Sequence, residues 1–146
     1  MTTDAANEAT QMKARNERPN IFPALRYQDA PAAIEWLVKA FGFEKLMVYP
    51  GENDTIAHAE LKLGPGIIML GSGTGARPQP TDDPHALNIS LYVYVVDIDS
   101  HYQRAKAAGA EIVRELQETD YGSREYGARD LEGYAWGFGT YMPEAE

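Results

Sequence analysis

Residues 121–141, YGSREYGARDLEGYAWGFGTY, read as two strands joined by a tight turn. Ser123–Arg129 is the first strand, Asp130-Leu131-Glu132-Gly133 the turn, and Tyr134–Tyr141 the second strand. Asp hydrogen-bonds its own backbone, Gly supplies positive φ, and the small and aromatic flanks suit a pleated surface. A fainter copy lies upstream in residues 58–71, HAELKLGPGIIMLG, where Gly64-Pro65-Gly66 divides Ala57–Leu63 from Ile67–Leu70. Two hairpins of one kind raise the question of what else is repeated.

Working outward, each hairpin is preceded by a strand, a helix and a further strand. Ile21–Tyr27 (IFPALRY) reads as a strand, with Pro23 marking an edge or a beginning. Asp29 caps a helix with Pro31 in its first turn, where a missing N–H costs little. Ile34, Leu37, Val38 and Phe41 then form one apolar stripe, and Gly42 stops the helix in the left-handed conformation. Glu44–Tyr49 completes the run before the first hairpin. The second run is Ala86–Val96 as strand and Ser100–Ala108 as helix, capped by Asp97 or Asp99 and ended by Gly109. Glu111–Glu115 follows as strand.

The order is strand, helix, three strands, twice over. Asp29 and Asp97 are 68 residues apart (97 − 29), and the same shift lays Ile21-Phe22 on Ile89-Ser90 and Ile68-Met69-Leu70 on Trp136-Gly137-Phe138. A fixed period with one element order indicates tandem modules, each with an apolar face that only its partner buries. The expected organisation is an α+β domain over 19–146, made of two βαβββ modules (19–72 and 85–142), behind a polar, aperiodic and disordered tail at 1–18. Between the modules, Gly71–Pro84 (GSGTGARPQPTDDP) reads as a linker or a flap over a site. It lacks the Gly-Lys-Ser/Thr ending of a phosphate loop, and no helix pattern follows it.

Composition narrows the function. With 44% apolar and 24% charged residues in 146, the chain is an ordinary globular one. No apolar run approaches the roughly 20 residues that span a bilayer, and the first residues carry no secretory signal, so no membrane is expected as partner. A net charge of −9 speaks against nucleic acid, which needs clustered Lys and Arg. It suits a cationic ligand, or simply solubility. The absence of cysteine removes thiolate chemistry and disulfides and fits a cytoplasmic protein.

Four stretches resemble the vicinal oxygen chelate superfamily of glyoxalase I, bleomycin-resistance proteins and extradiol dioxygenases, closest to the glyoxalase/bleomycin-resistance branch. They are LRYQDAPAAIEWLVKAFGF (25–43), HAELKLGPGIIMLG (58–71), LYVYVVDIDSHYQRAKAAGAEIV (91–113) and YGSREYGARDLEGYAWGF (121–138). The resemblance implies βαβββ modules whose mixed sheet curls around a cavity, within a homodimer. It also implies a divalent metal held by His and Glu on the first and last strands of each module. The matching positions here are Phe22, Met69, Ser90 and Gly137. None offers an imidazole or carboxylate, and a register slip of one residue restores none, since the neighbours are Ile21, Pro23, Ile68, Leu70, Ile89, Leu91, Trp136 and Phe138. No metal and no other cofactor is expected.

Strand alternation gives the expected cavity lining. Phe22 is in phase with Ala24 and Arg26, Met69 with Ile67, Ser90 with Tyr92 and Tyr94, and Gly137 with Ala135. The ligand-binding candidates are therefore Phe22, Arg26, Met69, Ser90, Tyr92, Tyr94 and Gly137, an aromatic pocket for a small organic molecule, aromatic or cationic. Trp136 and Phe138 have the opposite phase and should pack on a helix. His58 and Glu60, two apart on one strand face, are the candidate catalytic pair, or else a plain polar pair on a half-exposed strand. His85 and His101 read as solvated. Asp130 and Glu132 read as turn residues, and no serine sits in a nucleophile elbow. The expected function is a metal-free, glyoxalase/bleomycin-resistance-like binding protein for sequestration or resistance. The competing functions are a lyase or isomerase using His58 and Glu60, and a purely structural interaction domain.

Overall fold

The computed structural model describes residues 5–10, 19–73 and 89–143. The first module contains β1 (Ala24–Tyr27), α2 (Ala30–Phe41), β2 (Glu44–Pro50), β3 (Ile56–Leu63) and β4 (Gly66–Ser72). The second contains β5 (Ser90–Tyr94), α3 (Ile98–Ala107), β6 (Glu111–Glu118), β7 (Arg124–Arg129) and β8 (Ala135–Gly139). Before them, residues 5–10 form a short exposed helix, α1, inside the stretch expected to be a structureless tail.

Each module builds its own four-stranded mixed sheet, in the orders β1-β4-β3-β2 and β5-β8-β7-β6. The outer strands β1 and β5 pair in parallel with β4 and β8, and the other pairings are antiparallel. Ala24 lies opposite Met69, and Tyr92 opposite Gly137. Both differences, 92 − 24 and 137 − 69, are 68, so the sequence period is a period of register. The curled sheet expected around one cavity takes the form of these two separate sheets.

Alternation decides which face is core. On β3, Ala59 and Leu61 are buried while His58, Glu60 and Lys62 are not; on β7, Tyr126 and Ala128 turn inward. Against these faces pack Ala33, Ile34, Leu37, Ala40 and Phe41 of α2, and Ile98, Tyr102 and Ala105 of α3. The buried cluster is continuous across the modules. Phe41 of the first module stands 5.4 Å from Trp136 and 4.8 Å from Phe138 of the second, ring centre to ring centre. Burying each such ring contributes roughly 1.5–3 kcal/mol. Trp136 and Phe138 thus pack on a helix, as their phase requires.

Polar groups join the modules as well. Asp130 accepts from the Glu132 and Tyr134 backbone N–H groups at 3.0 Å, the role expected of a turn Asp. It also accepts from the Tyr27 hydroxyl at 2.6 Å and Trp136 Nε1 at 3.0 Å. Glu132 accepts from the backbone N–H of Gln28 and Asp29 at 2.7 and 2.8 Å. The hairpin turn is therefore a clamp on the end of β1. Across the helices, Arg104 donates to the Val38 and Lys39 carbonyls, both at 3.1 Å, satisfying acceptors that the end of α2 leaves open.

Several boundaries move. β1 begins at Ala24, so Ile21 and Phe22 precede it, although the Pro23 carbonyl still accepts from Met69 N–H at 2.8 Å. β4 runs to Ser72, taking the first residues assigned to the linker, and residues 74–88, with His85, lie outside the described residues. α3 starts at Ile98 with Asp97 as its cap, accepting from Ser100 N–H; Asp99 instead pairs with Arg124 at 2.8 Å. β6 extends to Glu118.

Candidate functional site

The face of the second sheet that turns away from the core carries Ser90, Tyr92, Glu125, Gly127, Ala135, Gly137 and Gly139 in alternation. Glycine or alanine at four of these positions leaves the sheet bare, and a hollow of about 430 Å³ lies over it. Tyr92, Tyr121 and Tyr141 supply its aromatic wall, and Arg114 and Glu125 its charges. A Cβ built on Gly137 would meet nothing nearer than Tyr92 Cδ1 at 3.8 Å and Arg114 at 3.9 Å. At Gly139 it would collide with Glu125 Cγ at 2.5 Å and the Tyr92 hydroxyl at 2.8 Å. Glycine there is what lets Glu125 fold across the strand.

Glu125 is 7% exposed and takes the Tyr121 hydroxyl on Oε1 at 2.9 Å. Arg114 stands 3.7 Å from the same oxygen, its side chain 49% exposed, too far for a good hydrogen bond. The Tyr92 hydroxyl donates to the Tyr141 carbonyl at 2.6 Å. Burial, and then the Glu125 charge, raise the Tyr92 phenol above its ordinary range. Tyr121 is raised first by its hydrogen bond to Glu125. Both stay protonated, as their roles as donors require.

Of the residues expected to bind ligand, Ser90, Tyr92 and Gly137 line this hollow. Tyr94 lies farther along β5, opposite Gly139 and outside the lining. Arg26 and Met69 sit on the open face of the other sheet, and Phe22 precedes β1, partly exposed. Six of the seven candidates therefore fall on two sheets within one chain, and Phe22 on neither. Glu125, Arg114 and Tyr121 are additions from the structure. Glu125 was findable, since its two-residue spacing from Gly127 and its pairing with Gly139 put it in phase with Gly137.

On the first sheet, His58 Nε2 and Glu60 Oε2 meet at 2.9 Å on the open face, opposite Tyr49 and Met69. With Nε2–H donating to the carboxylate, Nδ1 is the nitrogen left to accept a proton.

His101 is not the solvated residue expected. Its ring lies between Phe41 and Phe138, at 6.3 and 4.4 Å, with Nδ1 2.6 Å from the Tyr126 hydroxyl and Nε2 2.8 Å from the Phe41 carbonyl. Three residues after Ile98, it lies along the stripe that Ile98, Tyr102 and Ala105 bury. Burial holds the imidazole below its ordinary value.

A divalent metal does not fit the residues at the positions the resemblance implies. Phe22, Met69, Ser90 and Gly137 carry no imidazole or carboxylate, and among the described residues no three His, Asp or Glu side chains cluster as a metal site. No helix among them is long and apolar enough to cross a membrane.

Residues 22–138 match the family described as Glyoxalase/Bleomycin resistance protein/Dioxygenase superfamily. The structure is similar to that of TioX from Micromonospora sp. ML1, with a TM-score of 0.70 and 36% identity over 85% of this chain and 99% of that one. The fold is shared with the fosfomycin resistance protein FosX from Listeria monocytogenes, at a TM-score of 0.60 and 14% identity over 83% and 88% of the two chains. The uncharacterized protein Rv0887c of Mycobacterium tuberculosis is 30% identical over 90% of this chain and 79% of its own.

Proposed function

We propose a function from one premise: the chain belongs to the Glyoxalase/Bleomycin resistance protein/Dioxygenase superfamily. It is a small-molecule-binding protein that needs no resident metal, taking up an organic compound, aromatic or cationic, for sequestration or resistance. The observation carrying this reading is the hollow over Gly137, walled by tyrosines; the family resemblance implies a metal ligand at that position, where glycine offers none. Its volume falls in the ordinary range for small-molecule sites, roughly 300–1,000 Å³.

The working unit is a homodimer in the cytoplasm. Support for the dimer comes from β2, whose Leu46, Met47, Val48 and Tyr49 are all exposed on an unpaired edge, a surface that invites cover. The cysteine-free sequence supports the compartment.

The His58–Glu60 contact favours one second reading, a lyase or isomerase. Glu60 orients the imidazole, and Nδ1 removes a proton beside a carbonyl and returns it elsewhere. Native mass spectrometry and metal analysis of dialysed protein test the first reading against it. Two chains, no stoichiometric transition metal and a saturable site for an aromatic compound are expected. A stoichiometric zinc, nickel, manganese or iron ion overturns the metal-free assignment. Turnover of an α-hydroxy or α-keto substrate that disappears in His58→Ala establishes the second.

A further inference from the structure

The polar end of the second module's hollow is built mainly of hydrogen-bond acceptors. Glu125, 7% exposed, accepts the Tyr121 hydroxyl on Oε1, while Oε2 accepts from no side chain among the described residues. The Tyr92 proton is committed to the Tyr141 carbonyl. With both phenol protons engaged, each tyrosine oxygen has lone pairs left to offer. Tyr92 and Glu125 are close neighbours, since both crowd the empty Cβ position of Gly139, at 2.8 and 2.5 Å. The charged donor beside them is Arg114, half exposed and 3.7 Å away, too far for a good hydrogen bond.

We propose that Glu125 determines ligand specificity, and that the hollow takes a planar aromatic amine or amidine in its protonated form. The ligand's N–H groups meet Glu125 Oε2 and the oxygens of Tyr92 and Tyr121, and its ring lies against the tyrosine wall. A cation beside phenol rings is favoured by their quadrupoles as well as by the carboxylate. Arg114 swings outward to solvent as the ligand enters. An anionic compound of the same shape would have Arg114 in its favour but a buried carboxylate against it. The chain's net charge of −9 further raises the local concentration of cations. The inference rests on the small-molecule reading above.

Three acridines of matched shape provide the test, read by fluorescence polarisation on the full chain: 9-aminoacridine, acridine, and acridine-9-carboxylate. At pH 7.5 the amine should bind at least ten-fold more tightly than acridine, and the carboxylate most weakly. Glu125→Gln, which keeps an acceptor for Tyr121, should weaken the amine ten-fold or more while changing acridine less than three-fold; retained acridine binding shows that the variant is folded. Arg114→Gln, which removes the competing cation beside Glu125, should tighten amine binding. Equal affinity for all three compounds, or an amine indifferent to Glu125→Gln, overturns the charge selection and leaves the binding function standing. Failure of all three to bind overturns both.

Discussion

The Tyr27 hydroxyl donates to Asp130 Oδ2 at 2.6 Å, joining two residues 103 positions apart. The same oxygen takes Trp136 Nε1, and Oδ1 takes two backbone N–H groups of the turn. Burial, followed by the Asp130 charge, drives the Tyr27 phenol far above its ordinary range. One carboxylate thus folds its own hairpin and fastens it to the other module.

Asp130→Ala should be among the most damaging single substitutions. It leaves the Tyr27 hydroxyl and the Trp136 N–H buried without an acceptor, each at about 1–3 kcal/mol, for a total of about 3–5 kcal/mol. Thermal unfolding should shift down by about 6–20 °C, at about 2–4 °C per kcal/mol for a chain of this size. Tyr27→Phe, which leaves Asp130 its other donors, should cost only about 1–2 kcal/mol. Calorimetry of both variants checks the ranking.

His101 makes the fold sensitive to mild acid. Burial first, and the Arg104 charge after it, lower the imidazole from 6.5, while the hydrogen bond to the Phe41 carbonyl works the other way. The unfolded chain therefore takes up this proton before the folded one. The stabilisation is complete above about 6.5 and is lost as pH falls towards and through the folded value. Urea midpoints from pH 7.5 to 5 should fall for the wild type, with a shallower slope for His101→Gln.

Gly137→Leu should close the hollow without unfolding the protein. The Cβ has nothing within 3.8 Å, so the new side chain enters open space. Binding of aromatic probes should drop ten-fold or more, while the melting temperature stays within about 3 °C, or roughly 1 kcal/mol.

His58→Gln should change stability by no more than about 1 kcal/mol, because the His58 and Glu60 side chains are 40% and 27% exposed. Ligand binding at the second sheet should be unaffected. Titration of the variant with the same probes measures this directly.

Much of the architecture could be read from the chain because it is local and repeated. Asp29 and Asp97 do cap their helices, Gly42 does adopt a left-handed φ of 86°, and the 68-residue spacing reappears in the strand pairings. The site was half legible. Period-two phasing gave Ser90, Tyr92 and Gly137, and applied to β7 it would have added Glu125. Arg114 lies beyond such reasoning, because β6 has register shifts on either side of it, and a bulge resets the phase. Tyr27 and Asp130 were equally out of reach, since each finds its partner only after the modules dock. Phe22 falls outside β1, which starts three residues later than the apolar run (24 − 21).

On β7, Tyr126 and Ala128 point one way and Glu125 and Gly127 the other. One side of the ribbon answers to folding and the other lines the hollow, so neighbouring residues obey different masters. Exchanges at open outer positions such as Gly137 can reshape the hollow without touching the core. A duplicated scaffold of this kind can therefore change the shape and charge of its open face through a handful of replacements.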